Sequence, residues 1–190
     1  MVPRFLTVFP SRFLMANPTT RPMTRLVLYS LLLLFPVTAS AAGEVGVRIG
    51  ASLGGEGYNS QEIYWRIPLP GRLGEADGWN LTNQVELNAG RVSYSGDDMI
   101  TAGGTYGVWL GNPRAPVTVG IGTGPTYISR TELGGRGFGT NWQFTSWGTV
   151  HLAVTDNIGL AYRIQHTSNA GFASPNQGFD LQALEVRVRF

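Results

Sequence analysis

Residues 158–168 read Ile158-Gly159-Leu160-Ala161-Tyr162-Arg163-Ile164-Gln165-His166-Thr167-Ser168, and every second side chain as far as Ile164 is large and apolar. The residues between them are small or polar, so the pattern repeats every two positions. A β-strand turns successive side chains to opposite faces, whereas an amphipathic helix needs apolar residues three and four apart. The segment therefore reads as a strand with one apolar face. The same alternation recurs on both sides of it. Trp142, Phe144, Val150 and Leu152 alternate with Gln143, Thr145, Thr149 and His151, and Leu184, Val186, Val188 and Phe190 alternate with Ala183, Glu185, Arg187 and Arg189. Five more such runs begin near Val45, Ile63, Trp79, Ile100 and Val117, each bounded by turn residues. No stretch from Ala42 onward sustains a helical period. Eight strands is the even number expected of a small antiparallel barrel.

Which face points inward decides the surrounding solvent. A soluble barrel, of which a lipocalin-like can is the alternative, fills its core with the apolar face and wets the other. Here the second face is rich in glycine, alanine and threonine and carries Arg48, Arg66, Arg163, Glu62, Glu86 and Glu185. Small residues mixed with charges of both signs suit a narrow, filled lumen, in which those charges must pair. The apolar face then meets hydrocarbon, with Trp65, Trp79, Tyr106, Tyr127, Trp142 and Phe190 available for interfacial girdles. Closing the sheet satisfies every backbone hydrogen bond, which hydrocarbon requires. The expected fold is all-β, an eight-stranded antiparallel transmembrane β-barrel.

Composition removes several classes of function. The 190 residues contain no cysteine, which excludes a disulfide scaffold, a thiolate zinc site and a cysteine nucleophile. Two histidines, His151 and His166, leave little material for a histidine-rich metal centre. The formal charge of +2 resides in the leader, because Arg4, Arg12, Arg21 and Arg25 precede every acidic residue. The remainder holds ten arginines against twelve acids, a balance of −2 that supports no nucleic-acid face. Gly134-Gly135-Arg136-Gly137-Phe138-Gly139 is no dinucleotide loop, since no helix follows it.

Arg21 and Arg25 precede an apolar run from Leu26 to Phe35, then Pro36, Val37 and the small residues Thr38-Ala39-Ser40-Ala41. A positive region, a short apolar core and an A-x-A site make an export signal, expected over residues 1–41 with the mature barrel domain at 42–190. Pro36 and the shortness of the run argue against a retained anchor. Met23 is an alternative start. The connections at Gly111–Pro116 and Thr155–Asn157 are short, and those at Gly90–Asp98, Ser129–Asn141 and Thr167–Phe179 are expected to be long loops. Pro70–Gly78 is longer than a short-turn end calls for. Short turns on the periplasmic side put both termini there and the long loops outside.

Parity then exposes an anomaly. Continuing the apolar face of 158–164 by twos brings His166 and Ser168 to the lipid-facing side at the outer end of the strand. Across the next loop, Asp180 shares the parity of Leu184 and Val186 and also faces out. A serine hydroxyl becomes a nucleophile beside an imidazole base, and a carboxylate fixes the tautomer of that imidazole. Residues i and i+2 lie roughly 6.5–7 Å apart along a strand, so Ser168 and His166 must lean together. On spacing alone, polar residues capping a strand end in the head-group zone explain the cluster equally well. His151, by contrast, has lumen parity and reads as a packed, hydrogen-bonded residue.

The run His166-Thr167-Ser168-Asn169-Ala170-Gly171, with Pro175-Asn176-Gln177-Gly178-Phe179-Asp180 after it, resembles the C-terminal signature of the PagL family, lipid A 3-O-deacylases of the outer membrane. The specific part of the resemblance is this final stretch, and its H-x-S-N-A-G motif is complete. The resemblance implies a Ser/His/acid triad on the outer wall, with His166 the base, Ser168 the nucleophile and Asp180 the orienting acid. The member compared carries Glu where this chain has Asp180, and triads use either acid. Asn169 and Asn176 also match and become candidate oxyanion or substrate donors. The implied substrate is lipid A or lipopolysaccharide, with no metal and no cofactor. A non-catalytic small barrel, or a phospholipase or acyltransferase using the same three residues, are the competing functions. A homodimer is left open beside a monomer.

Overall fold

A computed structural model describes residues 43–190. The export signal expected over residues 1–41 lies outside the described residues. Among those described, the strands in chain order are β1 (Glu44–Ser52), β2 (Asn59–Pro68), β3 (Gly74–Ala76), β4 (Trp79–Tyr94), β5 (Asp97–Gly111), β6 (Val117–Ile128), β7 (Glu132–Leu133), β8 (Arg136–Gly137), β9 (Trp142–Ala153), β10 (Ile158–Ser168) and β11 (Phe179–Arg189). Eight of them form an antiparallel ladder in the order β2, β1, β11, β10, β9, β6, β5, β4, and pairing of β2 with β4 closes it into a barrel. The first and last strands zip together from Glu44 opposite Arg189 to Ser52 opposite Leu181. Closure leaves no barrel strand with an open edge.

The faces divide as the alternation predicts. Ile49, Ile121 and Leu184 are each about two-thirds exposed on the outer wall, while Arg66, Arg163, Glu86 and Glu185 are fully buried inside. The exposed side chains form an apolar band with aromatics at Trp65, Trp79, Tyr106, Tyr127 and Trp142. That is the surface of a membrane-spanning barrel.

The lumen is filled in layers. Arg66 donates to Glu86 and to Glu185, each at 2.7 Å. Arg48 lies 2.9 Å from Glu86 and 3.0 Å from Glu185 and also pairs with Glu62, and Arg163 donates to Glu86 at 3.1 Å. Tyr64 takes the Arg48 and Arg66 guanidinium planes on its ring, and Trp147 takes that of Arg163. Above this layer, hydroxyls of Thr126, Thr145 and Thr167 link across three strands at 2.7 and 2.9 Å. At the loop end an apolar plug of Tyr58, Val92, Met99, Ile128, Leu133, Phe138, Phe179 and Leu181 seals the cylinder.

The connections divide between two ends, with one correction. The long loop expected at Gly90–Asp98 is a two-residue turn. β4 and β5 remain paired as far as Tyr94 opposite Asp97, and Ser95 and Gly96 have φ of +48° and +95°, the type I′ geometry of tight hairpins. The outer-face alternation lapses there because the hairpin rises beyond the apolar band, so Arg91 can face water and bond Asp98 across the ladder at 2.8 Å. Inward, Val92 and Met99 still pack into the plug. The long connection at Pro70–Gly78 contains β3, which folds back on Trp79–Leu81 of β4. The expected long loop Ser129–Asn141 contains the small β7–β8 hairpin.

Candidate active site

Strand pairing places the three sequence-selected side chains. His166 of β10 sits directly opposite Asp180 of β11, and Ser168 ends β10 two residues further on. All three lie on the outer wall at the loop end. His166 and Asp180 are each about half exposed, and Ser168 is partly covered. The imidazole bridges its neighbours, with Nδ1 2.8 Å from Asp180 Oδ1 and Nε2 3.0 Å from Ser168 Oγ. One neutral tautomer satisfies both contacts: Nδ1–H donates to the carboxylate, and the serine O–H donates to Nε2. The side chains lean together enough to close the i, i+2 gap. A hydroxyl aimed at an imidazole that a carboxylate holds is an arrangement able to attack an ester carbonyl.

The two asparagines are placed differently. Asn169 is fully buried beneath the 169–178 loop. Its Nδ2 faces the carbonyls of Phe138 at 2.9 Å, Ala173 at 2.8 Å and Pro175 at 3.2 Å, and its Oδ1 accepts from Gly171 N at 2.9 Å. The side-chain amide of Asn169 is therefore spent on holding the loop. Asn176 is exposed, and its Oδ1 accepts the backbone N–H of Asn169 at 2.9 Å. That bond turns the Asn176 amide toward the residue following Ser168. His151 is buried in the lumen, on the opposite face of the wall from His166.

Sequence reading missed the residues that support this loop. Gly178 has φ of +58°, and a Cβ there would lie 2.8 Å from Thr167 O, 3.1 Å from Ser168 Cβ and 3.2 Å from His166 Cε1. Its carbonyl accepts from Arg136 of β8 at 2.9 Å. Phe172, highly exposed, meets Phe144, the β9 residue opposite Ser168, at a tilt with ring centroids 5.9 Å apart, and extends the apolar outer wall there. The glycine-rich run at 134–139 was the one available signal for the Arg136 hairpin, but spacing does not say what a loop will touch. Among the described residues no three His, Asp or Glu side chains converge as metal ligands.

The crystal structure of the outer membrane enzyme PagL superposes with a TM-score of 0.68 at 18% identity, covering 76% of this chain and 98% of that one. The N-terminal β-barrel domain of OprF from Pseudomonas aeruginosa follows with a TM-score of 0.56 at 10% identity, covering 79% and 98%. No curated protein matches the sequence. At these identities the structural likeness speaks for the eight-stranded barrel alone. The family-level result comes from the sequence itself, which matches the model for Lipid A 3-O-deacylase (PagL) from residue 59 to residue 189, from β2 through β11 and across the whole His166–Asp180 segment; this barrel belongs to the PagL family.

Proposed function

We propose that this protein is an outer-membrane serine esterase that removes the ester-linked primary acyl chain at the 3 position of lipid A. The observation that carries the reading is the hydrogen-bonded run Ser168–His166–Asp180 on the lipid-facing wall at the loop end. Family membership supports the substrate. Residues 1–41 are the export signal in this reading, and the loop end faces outward, where the sugar and ester linkages of a lipid lie level with Ser168. A lipid reaches the site by lateral diffusion, so the filled lumen plays no part in access.

Ser168 Oγ attacks the ester carbonyl while its proton passes to His166 Nε2. Asp180 stabilises the imidazolium through Nδ1–H. The tetrahedral oxyanion needs donors, and Asn176 is the better placed of the two asparagines, because its Oδ1 is pinned and its Nδ2 has no hydrogen-bond partner among the described residues. Collapse of the intermediate expels the sugar hydroxyl with the proton from His166 and leaves an acyl-serine. Water, deprotonated by the same imidazole, then releases the fatty acid and restores Ser168.

Mass spectrometry of lipid A from cells with and without the protein tests the reading. Loss of one acyl chain with the wild-type protein, abolished by Ser168→Ala in a barrel that still shows heat-modifiable migration, is the expected result. An unchanged lipid A overturns it. Altered phospholipid with intact lipid A assigns the same residues to a phospholipase or acyltransferase.

A further inference from the structure

Gly178 forms the floor of the site. Its backbone lies so close to Thr167 O, Ser168 Cβ and His166 Cε1 that no side chain fits there without displacement. A floor of this kind positions the imidazole only if it is itself held, and Gly178 sits at the end of a ten-residue loop. The restraint comes from elsewhere in the chain. Arg136 on the β7–β8 hairpin donates through Nη1 to Gly178 O at 2.9 Å, and its Nη2 pairs with Glu56 in the β1–β2 loop. The same hairpin grips the neighbouring residue twice: Gly137 N–H donates to Gln177 Oε1 at 2.6 Å, and Gln177 N–H donates to Gly137 O at 3.3 Å. Beyond Gly178, Phe179 is buried against Phe138 and Tyr58 in the apolar plug, and Asp180 follows at once.

We propose that Arg136 is a positioning residue of the esterase, holding Gly178 and thereby the spacing of His166 from Ser168 and Asp180. The role rests on the serine-esterase reading above. Arg136 is bonded to a backbone carbonyl and to a carboxylate, not to any of the three reacting side chains, so it acts through the loop. A guanidinium suits the task because its planar fork engages both partners at fixed angles, which a single ammonium cannot reproduce. Reaction rates are sensitive to such placement, a displacement of about 1 Å costing on the order of 10²-fold.

The experiment measures kcat and KM on purified lipid A in detergent micelles for the folded wild-type, Arg136→Ala, Arg136→Lys and Glu56→Gln proteins, and for Arg136→Ala combined with Asp180→Ala. Arg136→Ala is expected to lower kcat roughly 10–100-fold with KM nearly unchanged, and Arg136→Lys to recover part of it. In the Asp180→Ala background, Arg136→Ala should cost clearly less than it does alone, because one of the two spacings it maintains has already lost its function. If Arg136→Ala does not fold, Arg136→Lys and Glu56→Gln take its place, each expected to lower kcat. A raised KM at unchanged kcat makes Arg136 a substrate contact and overturns the role, as does a full multiplicative loss in the Asp180→Ala background. An active wild type with full-rate variants overturns this role alone. A wild type that hydrolyses no lipid ester overturns the esterase reading and this role with it.

Discussion

The barrel wall carries two histidines, and both lie beside carboxylates, yet they sit in opposite environments. His151 points from β9 into the lumen, where its Nε2 accepts from Arg66 Nη1 at 2.9 Å, its ring meets Trp109 edge-on, and Glu185 lies 3.6 Å away. His166 points from β10 to the outside, half exposed, between one carboxylate and one hydroxyl. In the lumen the central charges are shared among several partners, and Glu86 alone faces Arg48, Arg66 and Arg163. Such a network is held by mutual pairing that offsets its desolvation, and removing one member leaves an uncompensated buried charge. The outer cluster contains no arginine and lies on the outer wall, with His166 and Asp180 half exposed and Ser168 partly covered. The comparison teaches that histidine beside carboxylate is not a site in itself. In the proposed reading, access and a partner with something left to donate make His166 one.

That contrast can be broken from either side. The largest effect is expected at His166→Ala, which should reduce lipid A deacylation by about 10⁴-fold or more while the barrel remains folded, read by mass spectrometry and heat-modifiable migration. Asp180→Asn preserves shape but loses the charge that holds the tautomer and stabilises the imidazolium, so its kcat should fall by roughly 10²–10⁴-fold in the same assay. Glu185→Ala acts on the other face. It strips a carboxylate from Arg48 and Arg66, and its denaturant midpoint should report a loss of about 3–5 kcal/mol with near-normal activity per folded molecule. The smallest change is expected at His151→Phe, which removes an acceptor from the buried Arg66 guanidinium and should cost about 1–3 kcal/mol of stability. Deacylation by that variant should stay near the wild-type rate, and a collapse of activity would merge the two environments that the structure separates.

Much of this arrangement was legible in the sequence. Strand parity separated His166, Ser168 and Asp180 from His151, and the mixture of small and charged residues on one face pointed to a packed lumen. The loops were less legible. Gly90–Asp98 reads as a loop because its outer positions turn polar, but the ladder persists to Tyr94 and Asp97, since a hairpin standing in water needs no apolar outer face. Asn169 and Asn176 read alike in sequence, whereas in the fold one is consumed by three carbonyls beneath the loop and the other stays exposed.

The sequence by itself determined which wall each side chain faces, because alternation is a property of the extended backbone and needs no knowledge of neighbours. It also determined that eight such strands with this pattern belong in a membrane. Only the tertiary structure decided that the imidazole reaches both the hydroxyl and the carboxylate, that Gly178 lies under them, and that Arg136 from a distant hairpin holds Gly178 in place. The Arg136–Gly178 contact joins residues far apart in the chain through loop backbone, and loop backbone takes its conformation from whichever partners the closed barrel brings within hydrogen-bond reach.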